Sequence, residues 1–184
     1  MARGSAHLLP AEYALLGLLA AGPAHGYDLH RAFAPGGELA EVCRVPITQL
    51  YAMLKKLAGR DLVHEQGAEA TGTAPPRRLF ALTPQGERVL AEWLGGPVPH
   101  TREVRLEFLL KLYFAGRRDP AQVAALLAAQ HAQTRAVVGR LQDELAALDA
   151  APPADFRRLV VDVRLRQNQA VLAWLEDALQ AVAA

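Results

Sequence analysis

Pro46-Ile47-Thr48-Gln49-Leu50-Tyr51-Ala52-Met53-Leu54-Lys55-Lys56-Leu57-Ala58-Gly59-Arg60 is the stretch on which the fold turns. Ile47, Leu50, Leu54 and Leu57 recur at spacings of three, four and three, and this predicts an amphipathic helix with one inward stripe. Pro46 suits its first turn, where a missing N–H costs nothing. Thr48, Gln49, Ala52, Lys55 and Lys56 then face the other way. From Arg44 to Arg60 the chain carries Arg44, Lys55, Lys56 and Arg60 and no acid.

Working outward, Leu8 to about Ala20 is apolar on most faces and reads as a buried helix ending near Gly22-Pro23. A short second helix spans His25 to about Phe33 and closes at Pro35-Gly36-Gly37. Beyond Gly59 the period changes from helical to extended: Leu62-Val63-His64-Glu65 and Arg78-Leu79-Phe80-Ala81-Leu82 are strand candidates. Gly67, Gly72, Pro75 and Pro76 form the tip between them. Arg77 and Arg78 are a second basic island, again with no acid between Glu69 and Glu87. Thr83-Pro84 opens a fourth helix, with Thr83 as its N-cap, and Gly95-Gly96-Pro97 ends it.

Everything after Thr101 reads as helix. Glu103 to Phe114 is dense in Leu and aromatics. Asp119-Pro120 starts a long helix to about Leu148, with Val138, Leu141, Leu145 and Leu148 on one face. After Ala151-Pro152-Pro153 a last helix carries the stripe Phe156, Val160, Val163, Gln167, Val171, Trp174 and Ala178.

Three helices, a two-stranded hairpin and a return helix within about 95 residues describe a winged helix-turn-helix. The fold class is mainly α with a small β-hairpin wing. Residues 1–96 form the DNA-binding domain, and 97–184 form a C-terminal α-helical dimerisation domain. A helix entering the major groove must be apolar inside and small, polar or basic outside. The third helix meets that description: Thr48, Gln49 and Ala52 face base edges, while Lys55, Lys56 and Arg60 reach phosphates. Arg77 and Arg78 on the wing suit phosphates or a narrow minor groove.

The whole chain has 184 residues, 52% hydrophobic and 21% charged, with a net charge of only +1. The global sign of a nucleic-acid binder is therefore missing, and the distribution of charge carries the reading. Cys43 alone can build neither a disulfide framework nor a Cys-based zinc site. Apolar runs are broken well before the roughly 20 residues a bilayer demands. The start, MARGSAHLLPAEYALL, has no signal-peptide pattern, so the expected location is the cytoplasm. Neither a metal nor a cofactor is expected: His25, His30, His64 and His131 have no partner ligand at metal-site spacing.

Specific blocks carry a family resemblance. Leu15-Leu16-Gly17-Leu18-Leu19 through Gly22-Pro23-Ala24-His25-Gly26-Tyr27-Asp28-Leu29 resembles the opening of the PadR regulators. So do Gln49 through Leu57 with Asp61-Leu62-Val63, and Pro76-Arg77-Arg78-Leu79-Phe80-Ala81-Leu82-Thr83-Pro84-Gln85-Gly86. Thr101 through Phe114 is similar to the virulence-activator-like C-terminal domain of the longer subgroup. The resemblance implies a homodimeric repressor on a near-palindromic double-stranded DNA operator, released by an effector or stress signal. The family's Ser-x-Gly-Thr start of the recognition helix is here Pro46-Ile47-Thr48-Gln49, which leaves open which bases are read.

Helical position allows Tyr51 in the core or on the DNA side, and the resemblance assigns it to the DNA side. For Trp93 and Trp174 two readings stand: core or dimer interface, or an effector pocket shared with Phe108 and Tyr113. The stripe Phe156, Val160, Val163, Gln167, Val171 and Trp174 could pack within one subunit, but so long an apolar face more often closes a two-fold interface. An enzyme that uses a winged helix only to dimerise would need a catalytic motif, and no GxGxxG after a strand, GxxxxGK[ST], HExxH or GxSxG is present. The alternative is a helical ligand- or partner-binding module that has lost operator binding.

Overall fold

Six of the ten residues of α1 (Pro10–Leu19) are buried, as an apolar helix without a polar face requires. It belongs to the first of two units, Met1–Leu94 and Gly95–Ala184, into which the chain divides in this computed structural model. Residues 8–69, 77–149, 152 and 155–183 are described; the expected tip residues Gly72, Pro75 and Pro76 lie outside them.

In the first unit β1 (Ala24–His25) leads directly into α2 (Gly26–Phe33), and α3 spans Ile47–Ala58. The wing strands are β2 (Val63–Glu69) and β3 (Arg77–Leu82), followed by α4 (Pro84–Leu94). The sheet has three strands in the order β1-β3-β2, where the sequence predicts a two-stranded hairpin. Ala24 pairs with Phe80 and His25 with Leu79; two residues are too few to show alternation. Strand β2 runs on through Gly67, which the sequence reading gives to the tip, by way of an irregularity between Glu65 and Ala68.

Leu50, Leu54 and Leu57 of α3 are buried, but Ile47, in its opening turn, is 38% exposed. The inward face begins one turn later and is completed by Met53. They join Leu15, Leu16, Phe33, Leu90 and Trp93 among the buried side chains of this unit. Each fully buried Leu or Phe stabilises by about 1.5–3 kcal/mol.

Thr83 caps α4 by accepting from Gly86 N–H at 3.0 Å, and donates its hydroxyl to the carbonyl of Asp61 at 2.6 Å. A Cβ on Gly86 would stand 2.1 Å from the carbonyl oxygen of Leu62, so only glycine lets α4 approach the turn after α3. The wing and the end of α3 are thereby fixed to one another.

The second unit is helical. Short α5 (Thr101–Glu103) continues through a π-helical segment, Val104–Phe108, into α6 (Leu109–Arg118). Then α7 (Pro120–Ala146), capped by Asp119 accepting from Ala121 N–H, packs along α8 (Phe156–Ala183). The pairs His131–Glu176 and Glu144–Arg157 make the two antiparallel. One core cluster holds Val98, Val104, Phe108, Leu126, Leu127 and Leu175; the other holds Val138, Leu141, Val161 and Leu165. Buried Gln130 accepts from Val98 N–H at 2.8 Å and donates to Val98 O, while buried Lys111 donates to Gly96 O at 2.8 Å. Side chains of this unit thus hold the segment that enters it. No described helix is long and apolar enough to cross a membrane.

Candidate nucleic-acid interface

Thr48, Gln49, Ala52 and Lys55 are all exposed, on the side of α3 opposite Leu50, Leu54 and Leu57. A hydroxyl, an amide, a methyl and an ammonium on one face supply donors, acceptors and apolar contact to base edges, plus one phosphate-seeking cation. Among the described residues Lys55 makes no ion pair.

Lys56 is different. Its Nζ lies 2.6 Å from Oε1 of Glu12, whose side chain is 1% exposed. The other carboxylate oxygen of Glu12 accepts from Leu9 N–H at 2.8 Å. The acid-free setting read from the sequence is local to the chain; in space α1 brings a carboxylate to α3. Lys56 is therefore partly neutralised and anchored. Sequence reasoning missed Glu12 because it stands inside an apolar run, where a lone acid reads as solvated surface.

Tyr51 is 43% exposed, and its ring covers Gly26, where a Cβ would come within 2.7 Å of the ring Cε1 and hydroxyl. The ring thus rests on the start of α2 and still reaches the surface. Gly26 is the position in the His25-Gly26-Tyr27 block that this packing requires.

On the wing, Arg78 is 69% exposed, and its Nε lies 3.6 Å from Oε1 of Glu65 across the strand pair. That island too has a carboxylate neighbour, because strand pairing joins residues that are distant in sequence. Arg77 lies in β3; its side chain is outside the description. His25 Nδ1 is 3.3 Å from Arg78 O, tying the edge strand to the wing. Arg60 is half-buried, its Nη1 enclosed without a hydrogen-bond partner.

In the second unit Phe156, Val163, Gln167 and Trp174 of the expected stripe are exposed, while Val160 and Val171 are partly covered. The inward face of α8 is made by Val161, Leu165, Leu172 and Leu175, and of the expected stripe Val171 and Ala178 also pack against the cluster that holds Phe108, Leu126 and Leu127. Trp174 packs edge-on against Phe108 at 6.4 Å and borders a cavity of about 320 Å³ with Val104, Arg105, Leu109, Ala170 and Val171. Tyr113 instead packs edge-on against Phe114 at 4.9 Å. Trp93 lies in the core of the first unit, stacked on Tyr13 at 4.6 Å. Of the expected effector group, Trp174 and Phe108 are in contact within the second unit, whereas Trp93 belongs to the first.

Residues 15–92 match the family model described as the transcriptional regulator PadR-like family, and residues 104–183 match the virulence activator alpha C-terminal model. The negative transcriptional regulator PadR of Bacillus subtilis strain 168 is 30% identical over 177 residues, covering 91% of this chain and 94% of that protein. The chain belongs to the PadR family of transcriptional regulators. Bacillus subtilis PadR crystallised with operator DNA is 28% identical, with 95% of this chain and 99% of that chain covered and a TM-score of 0.48. The same PadR crystallised with p-coumaric acid is 27% identical, with 96% and 100% covered and a TM-score of 0.43. All of α3 and both wing arginines fall inside the PadR-like match, whereas Glu12, which anchors Lys56, lies three residues outside it.

Proposed function

We propose that this chain is a homodimeric repressor that reads a near-palindromic double-stranded DNA operator with α3 and steadies itself on the backbone with the β2–β3 wing. The observation that carries the reading is the division of α3: Leu50, Met53, Leu54 and Leu57 inside, Thr48, Gln49, Ala52 and Lys55 outside. Gln49 can form paired hydrogen bonds with adenine, the methyl of Ala52 suits a thymine methyl, and Lys55 suits a flanking phosphate. The Bacillus relative's description as a negative regulator supports repression rather than activation. The second copy places a second α3 one helical turn of DNA away, and the exposed stripe of α8 supports such pairing. Release by a small-molecule effector belongs to the same reading and rests on the family. As a regulator of this kind the protein works in the cytoplasm and carries no catalytic activity of its own.

Fluorescence anisotropy with duplexes chosen by the protein from a random pool, set beside unselected duplex, tests the assignment. Gln49→Ala should cost about 1–3 kcal/mol on the selected duplex and leave the unselected one unchanged. An equal loss on both would remove base reading from Gln49. Binding to neither duplex by the unaltered protein would favour a helical module without operator affinity.

A further inference from the structure

Helix α8 has two apolar faces, and α7 covers only one. With about 3.6 residues per turn, Val161, Leu165 and Leu172 share one side, packed within the chain. Phe156, Val163 and Trp174 fall on another and are 80%, 49% and 38% exposed. Large apolar side chains left exposed along one helix face mark it as a candidate interaction surface. At one end of this second face stands a knob, Phe156; at the other, the 320 Å³ cavity walled by Val104, Leu109, Ala170, Val171 and Trp174.

The order of these features is self-complementary. Phe156 and Trp174 lie nine residues either side of position 165, Val160 and Ala170 five, Val163 and Gln167 two. A two-fold axis crossing α8 near 165 therefore sets Phe156 against the partner's Trp174, Val160 against the partner's Ala170 and Val163 against the partner's Gln167, while Val171 meets the partner's exposed Leu159. The flanking charges agree with it. Arg166 and Asp162, paired at 2.8 Å on one edge of the face, are brought beside the same pair inverted, so that Arg166 approaches the partner's Asp162.

We infer that the cavity beside Trp174 is a socket for the partner's Phe156, with the two α8 helices antiparallel about residue 165. The inference deepens the homodimer reading and rests on it: neither socket is filled until a second copy arrives. An aromatic ring suits the space, since the walls apart from Arg105 are apolar and Trp174 offers a ring edge or face.

Co-expressed full-length Val160→Cys and Ala170→Cys chains, each also Cys43→Ala, test the register by oxidation. The mixture should yield a cross-linked dimer, and each variant alone should not. Identical positions would lie about 15 Å apart along the axis, beyond the roughly 7 Å a disulfide spans. Sedimentation of Phe156→Ala should show self-association weakened about tenfold or more, with an unchanged circular dichroism spectrum. Cross-links from either variant alone, or none from a mixture that sediments as dimer, would overturn the register and leave the homodimer standing. A wild-type protein that sediments as monomer would overturn both. Unchanged self-association of Phe156→Ala would return the cavity to a small ligand.

Discussion

The ammonium of Lys56 sits 2.6 Å from the buried carboxylate of Glu12, and this contact joins helix α3 to the start of α1. The same carboxylate accepts the Leu9 N–H. A buried acid is tolerated only when it is paired and hydrogen-bonded, so Lys56 stabilises the orientation of α3 rather than serving as a free cation.

Lys55 and Lys56 are therefore not equivalent. Lys55→Ala should reduce the slope of log affinity against log salt by about one unit, with little change in melting temperature. Lys56→Ala should leave that slope nearly unchanged and destabilise the fold by about 1–3 kcal/mol, because Glu12 loses its buried partner. Salt titrations and thermal melts of the two variants separate the roles; equal slope changes would contradict them.

The wing carries its own restraint, since Glu65 partly neutralises Arg78 across the strand pair. Arg77→Ala with Arg78→Ala should weaken binding to every duplex alike and lower the salt slope. Glu65→Gln should do the reverse, raising affinity for random DNA as the guanidinium is released. Anisotropy with one unselected duplex measures both, and a loss of affinity in Glu65→Gln would show that the wing does not use Arg78 on phosphates.

Gly26 and Tyr51 should behave as one unit. Gly26→Ala sets a methyl against the ring and should cost about 1–3 kcal/mol by overpacking. Combining it with Tyr51→Ala should recover much of that loss, and a double-mutant cycle by denaturant unfolding reads the coupling. Additive losses would mean that the ring does not rest on Gly26.

Burial lowers the Lys111 ammonium from its usual pKa of 10.5, against opposing pulls from Glu107 and then Glu103. The folded chain thus releases this proton before the unfolded chain does. In the alkaline window below 10.5 the unfolded state binds more protons, so this group makes stability rise with pH. Relative to Lys111→Arg, whose guanidinium stays charged, the wild type should gain melting temperature as the pH rises toward 10.5. A constant difference would refute the assignment.

The division of α3 into a buried and an exposed side was legible in the sequence because one period of three and four separates Leu50, Leu54 and Leu57 from Gln49, Ala52 and Lys55. The Thr83 cap was legible because Thr-Pro at a helix start has a local cause. What escaped depends on chain segments meeting in space. Glu12 looks like an accident in an apolar run until α3 lies beside it, and Glu65 neutralises Arg78 only once β2 and β3 pair. The edge strand Ala24–His25 is too short for any periodic signal. Ile47 matched the stripe but stands a turn ahead of the core, and the π-helical segment at Val104–Phe108 left no pattern in an unbroken run of Leu and aromatics.

In vitro selection of duplexes bound by the purified full-length protein tests the central claim most directly. A two-fold symmetric consensus, with half-sites about 10 base pairs or a multiple of that apart, is the result this account predicts. An asymmetric consensus, or no enrichment over the starting pool, would contradict it.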